Sequence, residues 1–474
     1  MPRGTRFLAT QKLGRLKILP VVTGERFRPE VESMRLNAVL LRSTVVAALG
    51  GLLFGFDTVV ISGANETLRQ LFHLTGISLG VTVASAIAGT VIGSMVAGIP
   101  GEKYGRRDSL RILAVLYLIS AIGCALAPSW AALLAFRLIG GLAIGGSSVL
   151  GPMYIAEIAP ARLRGRLVGL FQFNVVFGIL LAFLSNYVIG TFNIGASEWR
   201  WKLGVAAVPS ALFLLMLFGI PRSPRWLAKK GRIAEAREVL RITGEENYAQ
   251  ELQDIVASID AEHHAGDSLF KATYVFPIFL AVSIAMFNQL SGINAILYYL
   301  PTIFAQAGFN KVSSDLQSVA IGATNLIFTM LAMTLIDRVG RKILLLIGAV
   351  GTALCLAGVS YVFLSNSHQN LLVWMLVAYI AFFAFSQGAV IWVYIGEVFP
   401  NRVRASGQSL GSFTHWFMAG LITFGFPAVA EKSGGYPFVF FAIMMAVQFF
   451  VVLLWYPETK GITLEDMQKK LGIA

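Results

Sequence analysis

Residues 152–165 read PMYIAEIAPARLRG, and residues 392–405 read WVYIGEVFPNRVRA. Tyr154, Glu157, Pro160 and Arg164 return as Tyr394, Glu397, Pro400 and Arg404, all at one displacement of 240 positions. A second pair of segments keeps nearly the same interval: GEKYGRR at 101–107 and IDRVGRK at 336–342. There Gly105, Arg106 and Arg107 answer to Gly340, Arg341 and Lys342. A chain that repeats two separate motifs in the same order, half its length apart, is built from two related halves.

Around these motifs the chain is apolar. Of 474 residues, 56% are hydrophobic and 13% are charged, and the mean hydropathy is +0.71. A soluble domain carries about 25% charged residues, so this chain has too few to cover a water-facing globule. The apolar residues fall into blocks of about 20, the length that crosses ~30 Å of hydrocarbon as a helix. Twelve are present: 40–62, 78–99, 110–127, 130–153, 166–190, 203–220, 273–299, 315–336, 343–364, 371–395, 406–430 and 437–456. They are rich in Gly and lack strand-type alternation, which disfavours a β-barrel. Each Gly-Arg-Arg/Lys loop follows the second helix of its half, and each Glu motif ends the fourth. The fold expected is an all-α multi-pass membrane protein with twelve transmembrane helices in two six-helix bundles. Many secondary transporters are built this way, with a solute site between the halves.

Alternate loops carry the basic residues: Lys103, Arg106, Arg107 and Arg111, then Arg162, Arg164 and Arg166, then Arg338, Arg341 and Lys342, then Arg402 and Arg404. The other loops hold Arg69, Arg200 with Lys202, Lys311 and Lys432. The positive-inside rule makes the first set cytoplasmic, together with both termini, in a plasma membrane such as the bacterial inner membrane. The net charge of +13 then reads as loops facing anionic lipid, with no nucleic-acid partner. Residues 1–37 form a basic, unpatterned tail without the apolar core of a secretory signal and are expected to be mobile. Residues 38–221 and 272–457 are the two bundles. Between them, 222–271 is a cytoplasmic helical linker, in which Ile233, Ala236, Val239 and Leu240, then Leu252, Ile255, Val256 and Ile259, keep helical spacing. A short cytoplasmic tail, 458–474, follows. The chain is expected to be monomeric.

Three groups of residues are candidates for function. Asp57 and Arg137 are the ionisable residues deep in the first and fourth blocks, at similar depth. A charge in hydrocarbon costs at least ~2.5–3.5 kcal/mol, so such groups pair or face a wet cavity. Read blandly, they are a fixed ion pair. Read functionally, they are a proton switch: burial favours the protonated acid and a guanidinium favours the carboxylate, so a small helix shift moves the proton. The seventh block, AMFNQLSGINAILYYLP, brings Asn288, Gln289 and Asn294 within seven residues. On a straight helix Gln289 and Asn294 point ~140° apart, but Gly292 allows a break that turns both toward one cavity. Amides donate and accept, as hydroxylated solutes do, although a lone intramembrane amide also serves as helix–helix glue. The third group is at the loops: Glu102, Arg106, Glu157 and Arg164 in one half, Asp337, Arg341, Glu397 and Arg404 in the other. These basic residues hold topology at the least. Ion pairs among them are also expected to latch the cytoplasmic helix ends and to break when the inner gate opens.

The paired loop motifs resemble the signature of the major facilitator superfamily. GGLLFGFDTVVISG (50–63), PRSPRWL (221–227), QLSGINAILYY (289–299) and PETKG (457–461) resemble its sugar porter family, over about residues 40–465. That family includes facilitative glucose carriers and a bacterial xylose–proton symporter. The resemblance implies substrate contacts at Gln172, Asn325, Trp392, His415 and Trp416, beside Asn288, Gln289 and Asn294, and an outer gate at Tyr298 and Tyr299. It also implies proton coupling, since the proton-coupled members carry an acid at the place of Asp57. Two departures stand out: Glu102 replaces the usual Asp, and Arg222 replaces the acid of the usual PESPR. Asn288 and His415 stand where related porters commonly have Gln, so no particular sugar carries over.

The function expected is secondary active import of a monosaccharide or related polyol by proton symport. The alternative is an uncoupled sugar uniporter. No cofactor or metal is expected: the five histidines are scattered and Cys124 and Cys355 lie in separate blocks, so no enzyme site forms. The glycines of GLAIGGSSVLG (141–151) lie inside an apolar helix and do not follow a strand, which excludes a phosphate loop and ATP-driven transport.

Overall fold

The computed structural model describes residues 37–245, 247–262, 268–400, 402–462 and 464–473. The expected tail, 1–37, lies outside them apart from Asn37, whose side chain accepts from the Val39 N–H and caps the first helix. Twelve helices are long and apolar enough to cross a membrane. In chain order they are α1 Ala38–Gly63, α2 Gly76–Lys103, α3 Arg106–Leu126, α4 Trp130–Ile158, α5 Arg164–Thr191, α6 Gly195–Gly219, α7 Ala272–Gln306, α8 Lys311–Val339, α9 Arg341–Ser365, α10 Gln369–Val398, α11 Arg404–Ala430 and α12 Tyr436–Trp455. They form two six-helix bundles.

Several helices run past their apolar blocks. The helix starting at Glu198 takes in Lys202, and α8 starts at Lys311 and takes in Asp315. A helix needs its backbone hydrogen bonds, not apolar side chains, to continue, so hydropathy marks the lipid-crossing part and misses such charged ends.

The break expected in α7 is present. One piece runs Val275–Leu290 and the next Ile293–Gln306. Gly292 between them has φ +84°, a left-handed conformation costly for any residue with a Cβ. A Cβ there would also collide with the Phe441 ring.

Between the bundles, helices Pro224–Lys229, Ile233–Ile242 and Tyr248–Glu262 pack on one another. Trp226, Leu227, Val239, Leu240 and Leu252 are buried among them. The halves also touch directly. At the end away from the basic loops, α2 meets α11 so closely that a Cβ on Gly80 would strike the Phe424 carbonyl.

Candidate functional site

All eight residues expected to contact substrate line one central cavity of about 130 Å³. Gln172 comes from α5, Asn288, Gln289 and Asn294 from the broken α7, and Asn325 from α8. Trp392 comes from α10, and His415 and Trp416 from α11. The break in α7 joins its amides into a chain. Asn294 Nδ2 donates to Gln289 Oε1 at 2.9 Å, and Gln289 Nε2 donates to Asn288 Oδ1 at 3.0 Å. Gln289 Nε2 also lies 3.2 Å from His415 Nε2. The imidazole sits between two indoles, 5.0 Å from Trp392 and 5.0 Å from Trp416 by ring centres. The side facing α1 and α5 is apolar apart from Gln172 and Thr58, with Phe54, Val175 and Ile179. One wall therefore reads hydroxyls and the other offers C–H and ring contact.

The cavity continues into a vestibule of about 560 Å³. Its lining runs down to Gly165 at the start of α5 and Ile336 near the end of α8, at the end that carries the basic loops. Trp392, on this path, is 40% exposed. At the far end the cavity is shut. Tyr298 and Tyr299 are buried there. The Tyr298 carbonyl accepts from Asn65 Nδ2 at 2.8 Å, across the two halves. The Tyr299 hydroxyl donates to the Thr423 carbonyl, and its ring stacks on Phe426.

Asp57 lies one residue before Thr58 and one turn after Phe54, both of which line the cavity. Its Oδ2 is 3.8 Å from Arg137 Nη1. That contact is long, and Arg137 Nε and Nη2 are buried without a partner among the described residues. Unpaired buried guanidinium nitrogens are costly. The pair is thus loosely held, and a shift of α4 against α1 by a fraction of an ångström changes its balance.

At the basic loops the charges pair inside each half. Arg106 reaches Glu157 (3.0 Å) and Glu102 (3.1 Å). Arg341 reaches Glu397 (2.8 Å) and Asp337 (2.9 Å). Arg164 reaches Glu251 of the linker at 3.7 Å, and Arg404 Nε donates to the Phe399 carbonyl. None of these crosses between the halves, and all are formed while the vestibule reaches their end. Each pair fastens helix ends within its own half, so the expected part of these charges in gating rests on the double variant below. Each acid also holds the segment that follows its bundle, Glu157 through the Ser223 hydroxyl and Glu397 through the Thr459 hydroxyl. Beside them, burial works against the charge of Glu458, but four backbone N–H groups outweigh it and hold its carboxyl below the usual glutamate range. Removing both acids, Glu157→Gln with Glu397→Gln, should lower the thermal midpoint and leave the labelling balance between the two ends unchanged. A shift of that balance toward the basic end would establish the gating role.

The ion pairs that do cross between halves were not foreseen. At the far end Lys202 of α6 is fully buried. Its Nζ reaches Asp315 of α8 at 3.3 Å, Glu198 of its own helix at 2.9 Å and the Gly63 carbonyl at 3.1 Å. Lys311 of α8 reaches back to Glu198 at 2.6 Å. Arg69, after α1, pairs with Glu431, after α11. The signal was in the sequence: Lys202 and Asp315 abut apolar blocks, and an ionisable group at such a depth needs a named partner.

The chain matches the family model described as sugar (and other) transporter over residues 43–471. The D-xylose-proton symporter of Escherichia coli (strain K12) is 35% identical, over 91% of this chain and 96% of its own length. The arabinose-proton symporter of Bacillus subtilis (strain 168) is 37% identical, over 93% and 97%. Among solved structures, the inward open conformation of the E. coli xylose transporter matches with a TM-score of 0.82 at 34% identity, over 91% of this chain and 99% of that one. The same transporter bound to 6-bromo-6-deoxy-D-glucose gives 0.76 at 33%, over 92% and 100%.

Proposed function

Because the chain belongs to the sugar (and other) transporter family, we propose that it imports a monosaccharide or related polyol with protons, by exposing one cavity alternately to the two sides of the membrane. The observation that carries this reading is the placement of Asp57, paired with Arg137, on the same turn of α1 as Phe54 and Thr58, which line the cavity wall. A solute that pulls on this wall moves α1, and movement of α1 changes the distance on which the charge of Asp57 depends. Proton and sugar are coupled through one helix. The xylose and arabinose symporters among its relatives support the same substrate class.

The basic end faces the cytoplasm of a cell membrane, so the conformation is inward-facing, in keeping with its likeness to the inward open xylose transporter. A single chain suffices for transport, since both halves that build the cavity belong to it. The substrate lies with its hydroxyls on Gln289, Asn294, Asn288 and Asn325 and a pyranose C–H face on the indoles of Trp392 and Trp416. Tyr298 and Tyr299 sit at the outer gate.

Gln289→Ala and Trp392→Ala should each weaken sugar binding, by ~1–3 kcal/mol where a buried partner is left unpaired or a stacking face is lost. Calorimetry on the purified protein reads this directly, and unchanged affinity in both variants places the site elsewhere. The function itself is tested with labelled monosaccharides and inositols in proteoliposomes. Accumulation that requires an inward proton gradient is the expected result. Equilibration indifferent to that gradient would identify a uniporter.

A further inference from the structure

In the second half, Glu458 closes the N-terminus of α9. Its carboxylate accepts from the backbone N–H groups of Arg341 at 2.9 Å and Lys342 at 3.1 Å. The repeat carries the same scaffold into the first half. The Tyr394 hydroxyl donates to the Pro457 carbonyl as the Tyr154 hydroxyl donates to Pro221. The Thr459 hydroxyl donates to Glu397 as the Ser223 hydroxyl donates to Glu157. Between these matched positions, the counterpart of Glu458 is Arg222. The first half has a cation where the second has an anion.

The consequences reach the surrounding charges. The helix Arg106–Leu126 begins without a side-chain cap on its first N–H groups and has Asp108 in its first turn, whereas its twin takes the Glu458 carboxylate on those N–H groups. Arg222 turns to Asp108 at 3.0 Å, with its guanidinium 5.4 Å from the centre of the Trp226 ring. Asp108 is shared with Arg107 at 3.0 Å and Arg111 at 2.8 Å. Three guanidiniums thus share the one carboxylate in the first turn of this helix, an excess of two positive charges. Arg107 and Arg111 are held in place by donating to the Ile220 and Leu217 carbonyls at the end of α6. Immediately beside them the surface is apolar and outward-facing: Phe218 is 64% exposed and Leu215 69%, and Arg111 lies 4.4 Å from the centre of the Phe218 ring.

We propose that this cluster binds the phosphate headgroup of an anionic phospholipid, whose oxyanion stands in for the carboxylate that Glu458 supplies in the other half. Phosphate oxygens match guanidinium forks and helix N-termini. The exposed Phe218 and Leu215 give acyl chains a track continuous with the headgroup, which a soluble anion would not need. Basic pockets between helices at the end facing an anionic leaflet are where such lipids bind. The site does not depend on which solute the cavity takes.

The test is native mass spectrometry of the detergent-purified full chain, titrated with phosphatidylglycerol and phosphatidylcholine. The parent should retain phosphatidylglycerol about fivefold or more over phosphatidylcholine. Arg222→Glu, which restores the acid of the second half, should erase that preference and raise the lipid-free thermal midpoint. Arg222→Gln should reduce the preference, and it serves if the Glu variant fails to fold. The proposal is overturned if both variants keep the parent's preference, or if the charge-matched Arg338→Glu erases it equally. It is also overturned if millimolar inorganic phosphate displaces the lipid, which would make this a site for a soluble anion.

Discussion

Replacing Asp57 with Asn should abolish accumulation of sugar against its gradient and leave exchange at equal sugar concentrations intact. Exchange returns the carrier loaded in both directions and needs no net proton movement. Accumulation needs the empty carrier to return without its proton, and an amide cannot release one. The size and the direction of the effect follow from the geometry. Asp57 shares a turn of α1 with the cavity-lining Phe54 and Thr58, and its 3.8 Å contact with Arg137 is long enough to be remade when α1 moves. A merely structural pair would behave differently. Its loss would leave Arg137 as a buried charge without a partner, at ~3–5 kcal/mol, and would damage folding and exchange together. A variant that still concentrates sugar on a pH gradient would end the proton-switch reading.

Lys202→Met should open the far end. Lys202 joins α6 to α8 only when the halves meet there, so its bond to Asp315 favours this conformation over its opposite. Removing one member of a buried pair costs ~3–5 kcal/mol because the other is left unpaired. That cost falls on the far-end-closed state alone, and an equilibrium moves by the difference between its states. Labelling of a single cysteine on the far face of the cavity should rise by at least about tenfold, with Cys124 and Cys355 replaced beforehand. The double variant Lys202→Met with Asp315→Leu should return toward the parent, since apolar residues can replace a buried pair at little cost. If Lys202→Met labels as the parent does, the cluster is not a lock.

The sequence made the fold legible because membrane helices advertise themselves by length and apolarity, and because Tyr154, Glu157, Pro160 and Arg164 recur in order. The cavity was legible for a related reason: the three amides of α7 and Gly292 lie within seven residues, so the local break suffices to bring them together. What stayed hidden was long-range. Arg106 and Glu157 were rightly placed at the same end, but whether a pair lies within one half or between two depends on how the bundles rock, and no local pattern encodes that. Lys202 and Asp315 were assigned to loops or block edges because hydropathy ends where charge begins, although the helices continue through them. Arg222 was visible as a departure from PESPR. Its consequence needed Glu458 to be seen holding the N-terminus of α9.

Coupling of sugar to proton movement is read most directly with a pH-sensitive dye sealed inside proteoliposomes held at equal pH on both sides. Sugar added outside, with no other gradient, should acidify the lumen as protons enter with it, and the signal should vanish in Asp57→Asn. Sugar that enters and equilibrates while the luminal pH stays constant in the parent protein would contradict the account.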